Sequence, residues 1–121
     1  MIDVNSDALE NRAILEATGI AIVFTRERQV TRCNQHAEHL FGWPQGSLVG
    51  QPGSVFYPDA QTYAEIGAKA ASILSAGLTL ETDCIFVRRD GQRFSGHLIA
   101  RAVEAGQPEH GTVWIATDTT Q

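Results

Sequence analysis

Cysteine is scarce in this chain of 121 residues: Cys33 and Cys84 are the only two, they sit in separate strand-like runs, and they lack CxxC spacing. That argues against a disulfide scaffold or a zinc ribbon and reads as reduced, cytosolic thiols. Basic residues are also few, 9 Lys and Arg against 14 Asp and Glu, for a net charge of -5. Phosphate contact needs clustered positive charge, so the chain is not expected to touch nucleic acid directly. No long hydrophobic run occurs. The longest, Ile20 to Phe24, is far below the roughly 20 residues that span a bilayer, and the acidic N-terminus is no signal peptide. The expectation is a cytoplasmic protein with no membrane contact. Internal repeats and low-complexity segments are missing too. What is present, 43% hydrophobic residues in so short a chain, fits one domain around one core.

Asp7-x-x-Glu10 reads as a capping box, and Leu9, Ala13, Ile14 and Ala17 then form an apolar stripe ending at Gly19. This predicts an N-terminal flanking helix over 1–18, ahead of a domain over 19–121. Ile20 to Thr25 and Gln29 to Cys33 read as a strand hairpin across the polar turn Arg26-Glu27-Arg28. Asn34 is a natural N-cap for a short helix whose apolar face is Ala37, Leu40 and Phe41, stopped by Gly42. Trp43-Pro44 forces a loop, Gln45 to Leu48 is expected to add a turn, and Pro52-Gly53 breaks the chain again.

From Pro58, suited to a first helical position, Tyr63, Ile66, Gly67, Ala70, Ile73 and Leu74 recur at helical spacing up to Gly77. Leu78 to Arg89 and Arg93 to Glu104 are strand-like runs joined through the hairpin signal Asp90-Gly91. Ala105 to Gly111 is a polar turn, and Thr112 to Thr117 a last apolar strand. Hairpins separated by a helical excursion imply an α+β fold, an antiparallel sheet with helices packed on it.

Several stations along the chain then fall into a familiar order. Ala17 to Phe24, Asn34-Gln-His-Ala-Glu-His-Leu-Phe-Gly-Trp43, Leu48-Val-Gly-Gln51, Arg88-Arg-Asp-Gly91 with Phe94, and Asp118-Thr-Thr120 together resemble a PAS domain from Ile14 to Thr120. The resemblance implies a five-stranded antiparallel sheet flanked by helices, and a sensor module that binds a small molecule or a partner copy. It does not imply catalysis. The domain is expected to end at an output linker, with Asp118 and Thr120 passing the signal to an attached helix-turn-helix of LuxR type, a histidine kinase or a diguanylate cyclase of a bacterial-type regulator.

With the resemblance as register, a pocket between the inner sheet face and the main helix is expected to be lined by Ala21, Val23, Thr25, Cys84, Phe86, Phe94, Gly96, Leu98, Trp114 and Ala116, together with Ile66, Ala70 and Ile73. Phe86, Phe94 and Trp114 should narrow it, leaving a small, mostly apolar pocket for a small apolar or weakly polar ligand. Trp114 is read as core filling, Cys84 as a small buried hydrophobe, and Trp43 as packing its loop over the domain. The outer face is apolar as well, through Ile20, Ile22, Phe24, Ile85, Val87, Ile99, Val113 and Ile115. It needs a cover: the N-terminal helix, a second subunit, or both. A homodimer interface through Leu9, Ile14, Ile20, Ile22, Ile99, Val113 and Ile115 is therefore expected.

No cofactor is predicted. The family's covalent flavin needs a Cys in an Asn-Cys-Arg-Phe run, and Gln51-Pro-Gly-Ser-Val-Phe56 has none. Its haem members usually carry a histidine on the main helix, and residues 59–77 contain none. The run CNQHAEH, Cys33 to His39, resembles a metal cluster but divides into strand end, cap and helical turn. Glu38 and His39 are expected on the wet side, with His36 at the margin, and no metal site is assigned. His97 on the outer face and His110 in a turn are read as solvated imidazoles, and Glu65 and Lys69 as a surface pair. Besides the ligand-responsive sensor, the sequence is open to a ligand-free dimerisation module and a small α+β enzyme. The enzyme needs converging ionisable groups that the expected lining lacks.

Overall fold

β-branched and aromatic residues dominate the segments that pair into the sheet. The computed structural model describes residues 20–120, so the expected N-terminal helix, with Leu9 and Ile14, lies outside the described residues. The strands are β1 Ala21–Arg26, β2 Gln29–Cys33, β3 Leu80–Val87, β4 Arg93–Ala102 and β5 Thr112–Asp118. They form one antiparallel sheet in the order β2-β1-β5-β4-β3. The last strand is thus central, with Trp114 opposite Val23 of β1 on one side and Ala100 of β4 on the other.

Two α-helices fill the excursion between β2 and β3, α1 Gln35–Phe41 and α2 Ala60–Ser75. Asn34 caps α1 and also ties it to the sheet. Its Oδ1 accepts the backbone N–H groups of Ala37 at 2.9 Å and Ile22 at 3.0 Å, while its Nδ2 donates to the Ile20 carbonyl at 2.7 Å. Gly42 closes α1 with φ 72°, in the left-handed region that glycine enters without a Cβ penalty.

Three local expectations need correction. Pro58 does not open the main helix. Asp59 is its N-cap, accepting the Thr62 N–H at 2.7 Å, and the helix stops at Ser75. Gln45 to Leu48 is not helical, and the 3-10 turn lies instead at Gly53–Phe56, with a second at Pro108–His110. Glu38 is not on the wet side of α1. It is 8% exposed, and its Oε2 accepts the Gly46 N–H, so it caps the following loop.

Hairpin chemistry differs at the two strand pairs. Asp90-Gly91 sits inside a five-residue connection, 88–92, where Gly91 takes φ 93° and Asp90 accepts the Gln92 N–H at 2.9 Å. β1 and β2 are joined by two residues alone, Glu27 and Arg28, both with positive φ, 53° and 67°. A two-residue turn needs that geometry to match strand twist, and Asn-Gly is its relaxed solution.

Inward residues alternate along each strand and pack in two clusters under α2. One is aromatic, with Phe41 ring centroids 4.5 Å from Phe56, 5.4 Å from Phe86 and 5.8 Å from Phe94. The other gathers Ala70, Leu74, Leu80, Ala100 and Ala102, with Ile73 against it. Trp114 touches both. Trp43 packs on the aromatic cluster with the Arg89 guanidinium 5.2 Å from its ring centroid, and its buried indole N–H has no hydrogen-bond partner among the described residues. No described helix is long and apolar enough to cross a membrane.

Candidate functional site: a cavity between sheet and helix

A cavity of about 740 Å³ lies between the inner sheet face and α2. It is larger than expected. The phenylalanines that should have narrowed it pack on one another instead: Phe86 and Phe94 lie 5.5 Å apart, and both lean on Phe41. Helix α2 borders the space with Ala70 on its buried face and with Ala64, Gly67, Ala68 and Ala71 along its exposed side. A Cβ at Gly67 would meet nothing within 4 Å. Small side chains on a helix leave volume that Leu or Phe would fill, and this run of alanine and glycine was the sequence signal for a roomy pocket.

Of the expected lining, Val23, Thr25, Ile66, Ala70, Phe86, Leu98, Trp114 and Ala116 border the cavity. Ala21, Ile73, Cys84, Phe94 and Gly96 do not. Ala21 and Phe94 are core, and Ile73 packs into the second cluster. Gly96 is covered by Phe86, whose Cδ2 and Cε2 lie 2.4 Å from where a Cβ would stand. Alternation finds the correct sheet face but not which of its positions neighbours have covered.

The wall missed by alternation comes from other elements. Phe41 ends α1, Phe56 and Tyr57 belong to the 3-10 turn and its exit, and Tyr63 opens α2. Burial pushes the Tyr57 hydroxyl well above the ordinary phenol range, with Cys84 and Tyr63 adding to the rise, so Tyr57 is a neutral wall residue. Cys84, half-buried beside it, is pushed up to about 11, chiefly by burial and then by Asp83. Trp114 forms wall rather than plug: its Nε1–H donates to Thr25 Oγ1 at 2.8 Å, which holds the ring along the sheet.

Polar groups gather at one end. Arg26 at the end of β1, Glu27 and Arg28 of the β1–β2 turn, Pro108 and Glu109 of the β4–β5 connection and Thr112 at the start of β5 form the mouth. The pairing of Thr25 with Thr112 brings the two turns together. No group of three or more His, Cys, Asp or Glu among the described residues could hold a metal.

The end of β5 carries a second constellation. Arg88 donates to Asp118 Oδ2 at 3.2 Å and to the Leu40 carbonyl, and its guanidinium lies 4.4 Å from the Phe94 centroid. Asp118 Oδ1 accepts the Thr120 N–H at 2.8 Å, while Thr120 Oγ1 accepts from Ser95 N–H at 3.1 Å. The Thr120 backbone bond, first among several causes, holds the Asp118 carboxyl below the usual carboxylate range. This links the terminal strand to α1 and the β3–β4 hairpin.

On the outer face Ile22 and Ile99 flank Ile115 across β1, β5 and β4, and Phe24 pairs with Val113. Ile22 is 6% exposed; Ile20, Phe24, Val87, Ile99, Val113 and Ile115 are half-buried, and Ile85 is 42% exposed. The expected solvated histidines both have acidic partners. His97 stands between Asp83 at 2.8 Å and Glu81 at 2.9 Å, and His110 pairs with Glu104. Glu65 accepts from Gln61 at 3.1 Å, and no ion pair joins it to Lys69.

A family profile described as a PAS domain matches residues 10–75, more than half of the chain. Among solved structures, the PAS domain, in complex with ethanol, of a LuxR-family transcriptional regulator from Burkholderia thailandensis is 24% identical. Its TM-score is 0.80, with 98% of each chain covered. A PAS domain from Colwellia psychrerythraea is 20% identical with TM-score 0.81, covering 94% of this chain and 98% of that one. The Rhodobacter sphaeroides LOV protein is 18% identical with TM-score 0.76, covering 98% of this chain and 69% of that one. No curated protein gives a significant match. The motif stations, the sheet order and the profile converge: the chain belongs to the PAS domain family.

Proposed function

We propose that this PAS domain is a ligand-responsive, dimeric sensor that passes the state of its cavity to an attached output domain of a cytoplasmic, bacterial-type regulator. The observation that carries the reading is the cavity itself. A space of about 740 Å³, walled by apolar side chains and open at a charged mouth, lies within the range of small-molecule sites, whereas a pure dimerisation module needs none. A ligand there touches β1, β4, β5 and α2 at once, so occupancy shifts the packing equilibrium of sheet against helix. The Arg88–Asp118 link is placed to carry that shift to the end of β5.

The output is a helix-turn-helix of LuxR type, a histidine kinase or a diguanylate cyclase, the first favoured by the likeness to the Burkholderia regulator. Apolar residues across the outer face favour a homodimer through Ile20, Ile22, Ile99, Val113 and Ile115. We read the domain as non-catalytic, because its charged lining residues stand at the mouth instead of converging on one reacting point.

The test is native mass spectrometry of the purified domain, followed by melting in a library of small apolar and amphiphilic compounds. A bound species, or a compound that raises the melting temperature, is expected; a ligand at a hundred times its dissociation constant adds about 2.7 kcal/mol. Ala70→Leu, at a buried position on the cavity wall, should abolish that response while the fold persists. Absence of any bound species and of any shift would sink the reading in favour of a ligand-free dimerisation module.

A further inference from the structure

The cavity is charged at one end alone, and resting on the ligand-binding reading above, that asymmetry bears on which compounds fit. Its inner end is made by Val23, Phe41, Phe56, Phe86, Leu98 and Ala116, with no charge among them. Every charged lining residue, Arg26, Glu27, Arg28 and Glu109, belongs to or directly precedes one of the two turns at the mouth. Two arginines and two glutamates, all solvent-exposed, therefore border one opening. None of the four is in an ion pair among the described residues, although Glu27 lies between two arginines in sequence.

The turn that carries two of them is strained. Glu27 and Arg28 hold φ of 53° and 67°, a left-handed conformation that the Cβ of a non-glycine residue disfavours. Asn-Gly would close the same turn without that cost. The backbone is fixed from the other side by the Arg28 carbonyl, which accepts the Gly53 N–H at 2.9 Å. Two charged side chains are thus kept at the mouth in a conformation they disfavour, and such strain concentrates at ligand clamps.

We propose that this mouth reads the head group of a dipolar amphiphile, a compound with an apolar body for the inner end and a head carrying both a cationic and an anionic group, such as an α-amino carboxylate. The reason is charge balance. A head of one sign is attracted by one pair of mouth residues and repelled by the other, whereas a dipolar head pairs its carboxylate with Arg26 or Arg28 and its ammonium with Glu27 or Glu109. The apolar body supplies affinity, and the head sets specificity.

Calorimetric titration with four probes of matched alkyl chain tests this: 2-aminodecanoic acid, decanoate, decylamine and decanol. The dipolar probe is expected to bind about tenfold more tightly than each of the others. In the double variant Glu27→Asn with Arg28→Gly, which leaves one arginine and one glutamate, that advantage should shrink severalfold, while the ligand-free protein melts higher because the strain is gone. Decanol binding as tightly as 2-aminodecanoic acid would overturn the head-group assignment and leave the cavity reading intact. Tightest binding by decanoate or decylamine would overturn it in favour of a singly charged ligand. A double variant that melts lower than the parent would overturn the strained-clamp assignment. No binding by any probe would overturn both the assignment and the sensor reading beneath it.

Discussion

Trp114 Nε1–H and Thr25 Oγ1 are joined by a 2.8 Å hydrogen bond between residues 89 positions apart. The bond runs from the central strand to its neighbour and turns the indole along the sheet, so the largest inward side chain borders the cavity without filling it. Thr25→Val keeps the shape and removes the acceptor. It should cost about 1–2 kcal/mol in urea denaturation, with a shift in tryptophan emission as the orphaned N–H turns towards water. An unchanged midpoint and spectrum would show that packing alone holds the ring.

Gly96 and Phe86 form a second obligatory pair. A Cβ at position 96 would stand 2.4 Å from the ring and 3.0 Å from the Thr117 carbonyl, so Gly96→Ala should destabilise by about 2–3 kcal/mol through overpacking. Adding Phe86→Leu should recover part of that loss, and the double-mutant cycle measures the coupling. Additive effects would mean that the strain lies elsewhere.

Asn34 serves two elements with one amide. Asn34→Ala removes two accepted bonds and one donated bond at a site 1% exposed, and should cost about 3 kcal/mol by thermal denaturation. Asn34→Asp retains the accepting oxygens but places a second oxygen against the Ile20 carbonyl. It is expected to fall between alanine and the parent.

The outer face should be sensitive to pH through His97. Hydrogen bonds to Asp83 and then Glu81 raise its pKa, and bonding both carboxylates through both ring nitrogens requires the imidazolium. Its stabilising effect is therefore complete below the unfolded imidazole value, about 6.5, and is lost as pH rises through the folded value. His97→Gln should lower the melting temperature more on the acid side of that window than on the alkaline side, and added salt should shrink the difference. A pH-independent difference would refute the linkage.

Cys84 should resist alkylation. With its thiol pushed up to about 11, only about 0.1% is thiolate at pH 8, and the thiolate is the nucleophile. Iodoacetamide labelling followed by peptide mass spectrometry should find Cys84 reacting far more slowly than a free cysteine peptide. Ligand occupancy should leave that rate unchanged, because Cys84 does not line the cavity.

Much of the architecture was legible because its causes are local. Side chains alternate with period two along a strand, so once the family resemblance supplied the register, Val23, Phe86, Leu98 and Ala116 could be assigned to the inner face and Ile22, Ile99 and Ile115 to the outer. Asn34 and Gly42 mark the ends of α1 because capping is settled within one turn of chain. Pro58 misled for the same reason. Proline suits a helix start, but Asp59 offers an oxygen to the exposed N–H groups and took the cap one position later.

The amino-acid sequence by itself determined the order of elements, the two faces of the sheet and the family. Only the tertiary structure decided how much empty space those faces enclose. Cavity volume depends on whether Phe86 stacks on Phe94 and Gly96 or points into the gap, and on which face of α2 presents its alanines to the sheet. Likewise, the burial of Glu38, the charged mouth and the Arg88–Asp118 link arise when segments distant in sequence meet. Their energies belong to pairs of elements rather than to any one stretch of chain.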